Sequence, residues 1–314
     1  MTYVLFLAGF VLLLKGADLL IEGGGSLALR LGVSELAVGL TVISMGTSLP
    51  ELVVSLLASM QGSADLAIGN VLGSNIANVL LILGVCAIIR ELPIRDSTLL
   101  SEIPFSLAAA LLVGFLANAA LFSPLRELSI SRMDGAILLS FFVLFLLYIF
   151  RIARVGLAAP VGEGSTAVHV LELVIGSAGL ALGGKWVVDG ALGVSEQLGV
   201  SESFVGLTIV AIGTSVPELT ASAIAAYRGK GDIAVGNVVG SNIFNLLWVL
   251  GVSAVISPLP FDVVSNTDIA MIILASTLFM FGVVIGRPNA IARWEGWIFL
   301  LTYAGYFTFL IVRQ

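Results

Sequence analysis

The chain carries the segment LGVSELAVGLTVISMGTSLPELVVS at residues 31–55 and a close copy of it, LGVSESFVGLTIVAIGTSVPELTAS, at residues 198–222. The similarity continues without a gap over residues 31–84 and 198–251, where 31 of 54 aligned positions are identical. Self-similarity at a fixed offset is the signature of an internal repeat. The sequence therefore predicts two related halves that arose by duplication.

The composition around these copies is strongly apolar. Of the 314 residues, 59% are hydrophobic and 11% are charged, and the mean hydropathy is +1.13. Soluble domains average about 45–50% apolar and about 25% charged residues, so much of this surface must face lipid. The composition excludes a soluble protein and predicts an integral membrane protein. The net charge of −6 also argues against a nucleic-acid partner, which would require basic clusters.

Apolar segments predict ten membrane-spanning helices, since each crossing takes about 20 residues. The predicted spans are 2–28, 34–60, 66–89, 101–122, 133–153, 167–196, 201–226, 232–257, 267–286 and 294–312. The predicted fold is thus an all-α membrane protein of two five-helix repeats, 1–153 and 167–314, joined by a connecting loop at 154–166. Because each half has an odd number of spans, the second half is inverted in the membrane, with broken helices meeting at the centre.

The basic residues predict the orientation, because Lys and Arg concentrate on the inner side of a membrane. If the N-terminus lies outside, nine basic residues fall in inside loops: Arg30, Arg90, Arg95, Arg151, Arg154, Arg228, Lys230, Arg287 and Arg293. Three fall outside: Arg126, Arg132 and Arg313. We therefore expect a multi-pass protein of the inner (cell) membrane with both termini outside.

The first polar motif is GTSLPE at residues 46–51, copied as GTSVPE at residues 213–218. Its glycine and proline interrupt a helix. The serine and glutamate, three residues apart, also fit a capping box at a helix start. In a membrane, however, a carboxylate near the bilayer centre costs about 2.5–3.5 kcal/mol. Two of them at equivalent depth, Glu51 and Glu218, therefore indicate a bound cation.

The second polar motif is GNVLGSNIAN at residues 69–78, copied as GNVVGSNIFN at residues 236–245. Helical spacing of four residues places three polar side chains of each copy on one face: Asn70, Ser74 and Asn78, and Asn237, Ser241 and Asn245. Hydrogen bonding between helices is the alternative role for Asn70, Asn75, Asn237 and Asn242. Coordination is favoured for Ser74, Asn78 and their copies, because their stripe is expected to face the carboxylates.

These motifs offer only oxygen ligands, which select hard cations such as Ca²⁺ or Na⁺. Two carboxylates neutralise one Ca²⁺. They can equally hold two or three Na⁺ with the help of Thr47, Ser48, Thr214, Ser215 and freed carbonyls. A site whose charge suits either load favours exchange over leak, because the empty site is too negative to reorient easily. We expect no cofactor besides the transported ions.

At these residues the sequence resembles the calcium/cation antiporter superfamily, specifically the sodium/calcium exchanger branch and its small prokaryotic members. The two copies correspond to that family's paired α-repeats. The resemblance implies a ligand set of Glu51, Glu218, Thr47, Ser48, Ser74, Asn78, Thr214, Ser215, Ser241 and Asn245, completed by the main-chain carbonyls of Ser44 and Ala211. It also implies alternating access, with the first and sixth helices sliding across the rest. Some exchangers carry aspartate where Asn78 or Asn245 stands here, which argues against potassium co-transport.

Three other functions compete with Na⁺/Ca²⁺ exchange. The first is a Ca²⁺/H⁺ or other divalent-cation antiporter, although the proton-coupled branch shows a different motif. The second is an intramembrane enzyme with Ser48 or Ser215 as nucleophile. That reading lacks a base, because the only histidine, His169, is distant in sequence. The third is a channel. We therefore expect that the chain is not an enzyme. We also expect that it needs no protein partner and functions as a monomer embedded in lipid.

Overall fold

The structure, a computed structural model, describes residues 2–30, 44–94, 101–122, 127–153, 165–229, 231–285 and 290–313. The start of the first repeat copy, 31–43, and most of the predicted connecting loop, 154–164, lie outside these ranges. The predicted boundaries of the two halves therefore stay predictions. Below, the first half denotes residues 1–153 and the second half residues 167–314.

Helices dominate both halves, because a helix satisfies its own backbone hydrogen bonds in an apolar environment. The first half contains α1 (Thr2–Arg30), α2 (Ser44–Thr47), α3 (Leu49–Met60), α4 (Ala64–Ile76), α5 (Leu83–Ile89), α6 (Ile103–Ala117) and α7 (Arg132–Ala153). The second half contains α8 (Thr166–Leu198), α9 (Glu202–Val205), α10 (Ala211–Thr214), α11 (Val216–Tyr227), α12 (Gly231–Ile243), α13 (Leu250–Ile256), α14 (Asn266–Ile285) and α15 (Arg293–Arg313).

Short segments of other helix types connect these elements. Wider π-helical turns lie at Ala77–Ile82, Gly206–Val210 and Phe244–Val249. Tighter 3₁₀ turns lie at Ala119–Phe122 and Val263–Ser265. The π-helical turn between α4 and α5 recurs between α12 and α13, so the duplication seen in the sequence extends to this irregularity.

Among the described residues, six helices are individually long and apolar enough to cross a membrane. They cover Ala64–Ile89, Arg132–Ile149, Thr166–Leu198, Ile233–Ile256, Val263–Val283 and Arg293–Arg313. A seventh candidate is the pair Glu202–Thr214 and Val216–Tyr227, bent by 46°. Each of the ten predicted spans contains helix where it is described, but the count of ten is not reached. Two reasons are the breaks within the spans and the gap at 31–43.

Two spans are central in the bundle. Within their apolar windows, 78% of Ala64–Ile89 and 72% of Ile233–Ile256 is buried, against 28–39% for the other four candidates. Helices that are covered on all sides are the ones that can carry polar groups away from lipid. The second polar motif of each half lies on these two central spans.

Two small β-sheets join the halves. Strand β1 (Leu92–Pro93) pairs antiparallel with β4 (Ala290–Ile291), and β2 (Ser129–Ile130) pairs antiparallel with β3 (Leu259–Pro260). Since β1 precedes and β2 follows α6, the two sheets lie at opposite ends of that helix. Each sheet takes one strand from each half, so the halves are connected at both ends of the bundle.

Helices α1 and α8 pack closely along their length through glycines. A Cβ added at Gly9 would lie 2.9 Å from the carbonyl oxygen of Gly183, and one at Gly16 would lie 2.8 Å from that of Gly176. Small residues permit such backbone approach between membrane helices. Next to Gly9, the ring of Phe10 on α1 lies against Gly213 and leaves no space for a Cβ there.

Candidate functional site

The first polar motif breaks the helix in both halves. Helix α3 begins after Ser48 (φ −89°, ψ 8°), and α11 begins after Ser215 (φ −83°, ψ 6°), with proline in the first turn of each. Proline suits this position because its missing N–H has no helical partner there. Neither serine caps its own helix through its side chain. The capping-box alternative is therefore wrong, because each hydroxyl bonds elsewhere.

Each serine donates its hydroxyl to the glutamate of the opposite half. Ser48 Oγ lies 2.8 Å from Glu218 Oε1, and Ser215 Oγ lies 3.1 Å from Glu51 Oε1. Hydrogen bonds to a carboxylate are stronger than neutral ones. The two breaks therefore face each other, and each carboxylate is oriented by the half to which it does not belong.

The serines of the second motif approach the same carboxylate atoms. Ser74 Oγ lies 3.4 Å from Glu51 Oε1, and Ser241 Oγ lies 3.4 Å from Glu218 Oε1. Ser74 Oγ also lies 3.4 Å from the carbonyl oxygen of Ala211. The sequence predicts that the second motif faces the carboxylates of the first, and in the structure these serines and glutamates are in direct contact.

Both glutamates are completely buried, at 0% exposure. In each one Oε1 accepts the serine hydrogen bonds, whereas Oε2 has no hydrogen-bond partner. Among the described residues no basic side chain pairs with Glu51 or Glu218. A buried carboxylate without a counter-charge is costly. Two free oxygen atoms in one polar interior are therefore positioned to receive a cation.

The amides farther along the central spans form an asymmetric cluster. Asn78 Nδ2 donates to Asn242 Oδ1 at 3.0 Å, and Asn242 Nδ2 donates to the carbonyl oxygen of Asn75 at 3.4 Å. Asn245, the copy of Asn78, is fully buried and both of its side-chain polar atoms lack partners. The cluster leaves amide oxygens of Asn75, Asn78 and Asn245 free for a ligand.

Asn78 and Asn245 lie within the π-helical turns. A π-helical turn rotates the following side chains relative to an α-helix and is frequent at functional sites. The predicted stripe of residues i, i+4 and i+8 assumed an uninterrupted α-helix. Sequence spacing alone did not reveal this irregularity, although both copies contain it.

The remaining predicted ligands lie at the helix breaks. Thr47 and Thr214 are buried at 4% and 0% exposure, and the carbonyl oxygen of Ala211 accepts from Thr214 Oγ1 at 3.3 Å. Ser44 is the first residue of α2, and a ligand role for its carbonyl stays a prediction.

Two further residues support each glutamate from its own half. Asn70 Nδ2 donates to the carbonyl oxygen of Glu51 at 3.3 Å and to Ser55 Oγ at 2.9 Å. In the second half, Asn237 Nδ2 donates to the carbonyl oxygen of Glu218 at 3.5 Å and to Ser222 Oγ at 3.0 Å. The sequence indicated hydrogen bonding for the asparagines but not for the serines. The spacing of Glu51 and Ser55, one helical turn apart, is the signal that could have found the latter.

Comparison with known proteins identifies the family of this chain. The family model described as "Sodium/calcium exchanger protein" matches residues 1–151 and 168–312. The inner membrane protein YrbG of Escherichia coli (strain K12) is 38% identical over 246 residues, covering 74% of this chain and 73% of its own length. The sodium/calcium exchanger MaX1 of Methanosarcina acetivorans is 32% identical over 299 residues, covering 84% of this chain and 85% of its own length.

The chain belongs to the sodium/calcium exchanger family. A solved structure of the sodium-calcium exchanger NCX_Mj, soaked with 2.5 mM Na⁺ and 10 mM Sr²⁺, has a TM-score of 0.67 and 31% identity to this chain. It covers 97% of this chain and 98% of its own length. The resemblance to the calcium/cation antiporters is thereby confirmed. As a member of the sodium/calcium exchanger family, the chain is a multi-pass, helical membrane protein and an ion antiporter.

Proposed function

We propose that the chain is a secondary-active antiporter that exchanges Na⁺ for Ca²⁺ at the buried site between the two helix breaks. Glu51 and Glu218 are the central ligands, and one set of oxygen donors assists them: Thr47, Ser48, Ser74, Asn78, Thr214, Ser215, Ser241, Asn245 and the carbonyls of Ser44 and Ala211. The observation that carries the proposal is the pair of completely buried carboxylates, each with one unpartnered oxygen.

The donor chemistry favours these ions. Carboxylate, hydroxyl, amide and carbonyl oxygens are the ligands of hard cations. Two carboxylates match the charge of one Ca²⁺. For Na⁺, which needs less charge per ion, the neutral hydroxyls and carbonyls at the two breaks supply further positions. The same site can therefore alternate between the two loads, which is the requirement for exchange.

We further propose that the chain crosses the membrane ten times, in two inverted five-helix repeats. The repeated α3–α5 and α11–α13 elements, and the reciprocal hydrogen bonds between halves, support such a pseudo-twofold arrangement. Alternating access then occurs by movement of α1 and α8 across the remaining helices. We further propose an inner-membrane location with both termini outside, and a single chain as the functional unit, because one chain supplies both carboxylates.

Exchange in proteoliposomes tests the proposal. Purified protein is reconstituted into vesicles loaded with Na⁺ and diluted into Na⁺-free medium containing ⁴⁵Ca²⁺. We expect Ca²⁺ uptake that requires the Na⁺ gradient and that persists when the pH gradient is collapsed. Uptake driven by a pH gradient alone would instead show a proton-coupled antiporter. Conductive flux without a counter-ion would show a channel.

A matched pair of variants locates the site in the same assay. Glu51→Gln removes one site carboxylate, whereas Glu196→Gln makes the same change at an exposed residue near the end of α8. We expect uptake to be lost in the first variant and retained in the second. Normal uptake by Glu51→Gln would reject the site.

A further inference from the structure

Each buried asparagine that supports a glutamate also reaches into the opposite half. Thr214 Oγ1 lies 3.2 Å from Asn70 Oδ1, and Thr47 Oγ1 lies 3.4 Å from Asn237 Oδ1. The Asn70 carboxamide therefore directs its N–H groups toward its own broken helix and its oxygen toward the broken helix of the other half. Asn237 repeats this arrangement in the opposite direction.

The three contacts of Asn70 fix the orientation of its amide. Both N–H bonds are used, on the Glu51 carbonyl and on Ser55 Oγ, and the oxygen faces Thr214. A flipped amide would place its carbonyl against the Glu51 carbonyl and leave that main-chain acceptor without its donor, in a region where Asn70 has 0% exposure. Unsatisfied buried polar groups are costly, so the carbonyl end is held toward the threonine.

This orientation determines what the threonine hydroxyl can do. Thr214 Oγ1 has three acceptors around it: Asn70 Oδ1 at 3.2 Å, the Val210 carbonyl at 3.1 Å and the Ala211 carbonyl at 3.3 Å. A hydroxyl has one proton to donate and two lone pairs. The Glu51 carboxylate is a further hydrogen-bond acceptor for the Thr214 side chain. Because all of these neighbours are acceptors, the proton is donated to one of them and the lone pairs of Thr214 stay available for a cation.

We propose that Asn70 and Asn237 are positioning residues of the exchange site. Each holds the glutamate main chain of its own half while presenting the threonine hydroxyl of the opposite half as an ion ligand. This inference rests on the proposed function, since it assumes that cations bind between the breaks. It assigns these asparagines no direct contact with the ion.

The proposal predicts a selective effect on Na⁺. Ca²⁺ draws most of its counter-charge from the two carboxylates, whereas Na⁺ ions also depend on neutral oxygens such as the Thr214 hydroxyl. In Asn70→Leu, the amide contacts are removed while the number and branching of the side-chain heavy atoms stay the same. The Na⁺ concentration for half-maximal exchange should rise about tenfold, the factor expected for one or two lost hydrogen bonds. The half-maximal Ca²⁺ concentration should change by less than about threefold, because the Glu51 carboxylate keeps its hydrogen bonds from Ser74 and Ser215.

Asn118→Leu is the matched control. Asn118 and Asn266 also join the two halves through reciprocal amide bonds, at 2.6 and 2.9 Å, but far along the chain from both polar motifs. If any lost amide contact between halves weakened Na⁺ binding, this variant would behave like Asn70→Leu. We expect both half-maximal concentrations to stay within about twofold of the wild type.

A double-mutant cycle with Thr214→Val tests the route of the effect. If Asn70 acts through the threonine hydroxyl, Asn70→Leu should have little further effect on Na⁺ dependence once that hydroxyl is gone, less than about threefold. Multiplying effects in the double variant would overturn the proposal. Equal shifts for Na⁺ and Ca²⁺ in Asn70→Leu would overturn it as well.

Two checks keep these outcomes distinct. If Asn70→Leu does not yield monodisperse protein, Asn237→Leu with Thr47→Val makes the same test from the other half. Wild-type protein is assayed in parallel, and its failure to exchange Na⁺ for Ca²⁺ would reject the proposed function. Wild-type exchange combined with an unaltered Na⁺ dependence in both asparagine variants would reject the positioning role alone.

Discussion

In both halves a serine at the helix break donates to the glutamate of the other half, from Ser48 at 2.8 Å and from Ser215 at 3.1 Å. Farther along the central spans the halves differ. Asn78 donates to Asn242, whereas the polar atoms of Asn245 have no partner. The halves are therefore alike around the carboxylates and unlike around the amides of Asn78 and Asn245.

Under the proposed alternating-access mechanism, this difference between the halves has a physical meaning. If two inverted halves had the same conformation, the site would be equally open to both sides of the membrane. One half must therefore depart from the other in any state that is open on one side. Rearranging neutral amides is less costly than rearranging buried carboxylates, so the asymmetry falls on the asparagines.

The largest effect is expected when each carboxylate is neutralised in turn, which tests whether the two halves are alike around the glutamates. In Glu51→Gln and in Glu218→Gln, Ca²⁺ transport should fall by about a hundredfold or more, because ligand charge sets Ca²⁺ affinity. Initial rates of ⁴⁵Ca²⁺ uptake measure this loss, and size-exclusion profiles show that each variant is folded. Substantial transport by one variant alone would mean that the halves contribute unequally.

Removing the serine hydroxyls tests the reciprocal bonds between halves. Ser48→Ala and Ser215→Ala should each reduce the apparent Ca²⁺ affinity by about tenfold, because a hydrogen bond to a carboxylate contributes about 1.5–3 kcal/mol. The Ca²⁺ dependence of uptake gives the measurement. Ser177→Ala, at an exposed hydroxyl on α8 that bonds only within its helix, should leave the affinity unchanged.

Adding an acid to each half sharpens the contrast between the amides. Asn78→Asp places an oxygen where the amide donates to Asn242, whereas Asn245→Asp replaces an amide that donates to no group. We expect the uptake rate of Asn78→Asp to be about fivefold lower than that of Asn245→Asp, because only Asn78→Asp loses a hydrogen bond and one such loss corresponds to about this factor. The ratio of the two uptake rates is the readout, and equal rates would contradict the asymmetry.

The smallest effect on transport is expected at an ion pair within the second half. Arg313 contacts the buried Asp268 at 2.9 and 3.2 Å, and Tyr306 donates to the same carboxylate at 2.8 Å. In Arg313→Gln the midpoint of thermal unfolding should fall by about 5 °C. Ca²⁺ affinity should not change, and Arg293→Gln, at an exposed position, is the stability control.

Much of this fold could be predicted because the chain contains an internal repeat, so that its two halves can be compared with each other. Residues that recur at equivalent positions, such as Glu51 and Glu218, stand out in a background of apolar side chains. Burial in lipid makes each polar residue conspicuous, and helix-breaking proline marks where the polar residues lie.

Other features depend on relations between distant parts of the chain. Ser48 and Glu51 match a local capping pattern, but the Ser48 hydroxyl bonds to Glu218, 170 residues away. Likewise, Lys185 and Asp189 have the spacing of an ion pair, yet among the described side chains they form none, and Asp189 accepts from Gln61 at 3.4 Å. Local spacing predicts which partners are possible, whereas tertiary packing selects among them.

The two small sheets limit how such a molecule can change shape. Strands β1 to β4 fasten one half to the other at opposite ends of α6, and they adjoin α5, α7, α13 and α15. Pulling the halves apart would break backbone hydrogen bonds at both ends at once, so we expect these helices to keep a constant spacing. Helices α1 and α8 do not adjoin any of these four strands. Because their glycines pack closely, we expect the two helices to move together. During the transport cycle, the distance across each strand pair should therefore stay constant while the distance from Phe10 to Gly213 varies.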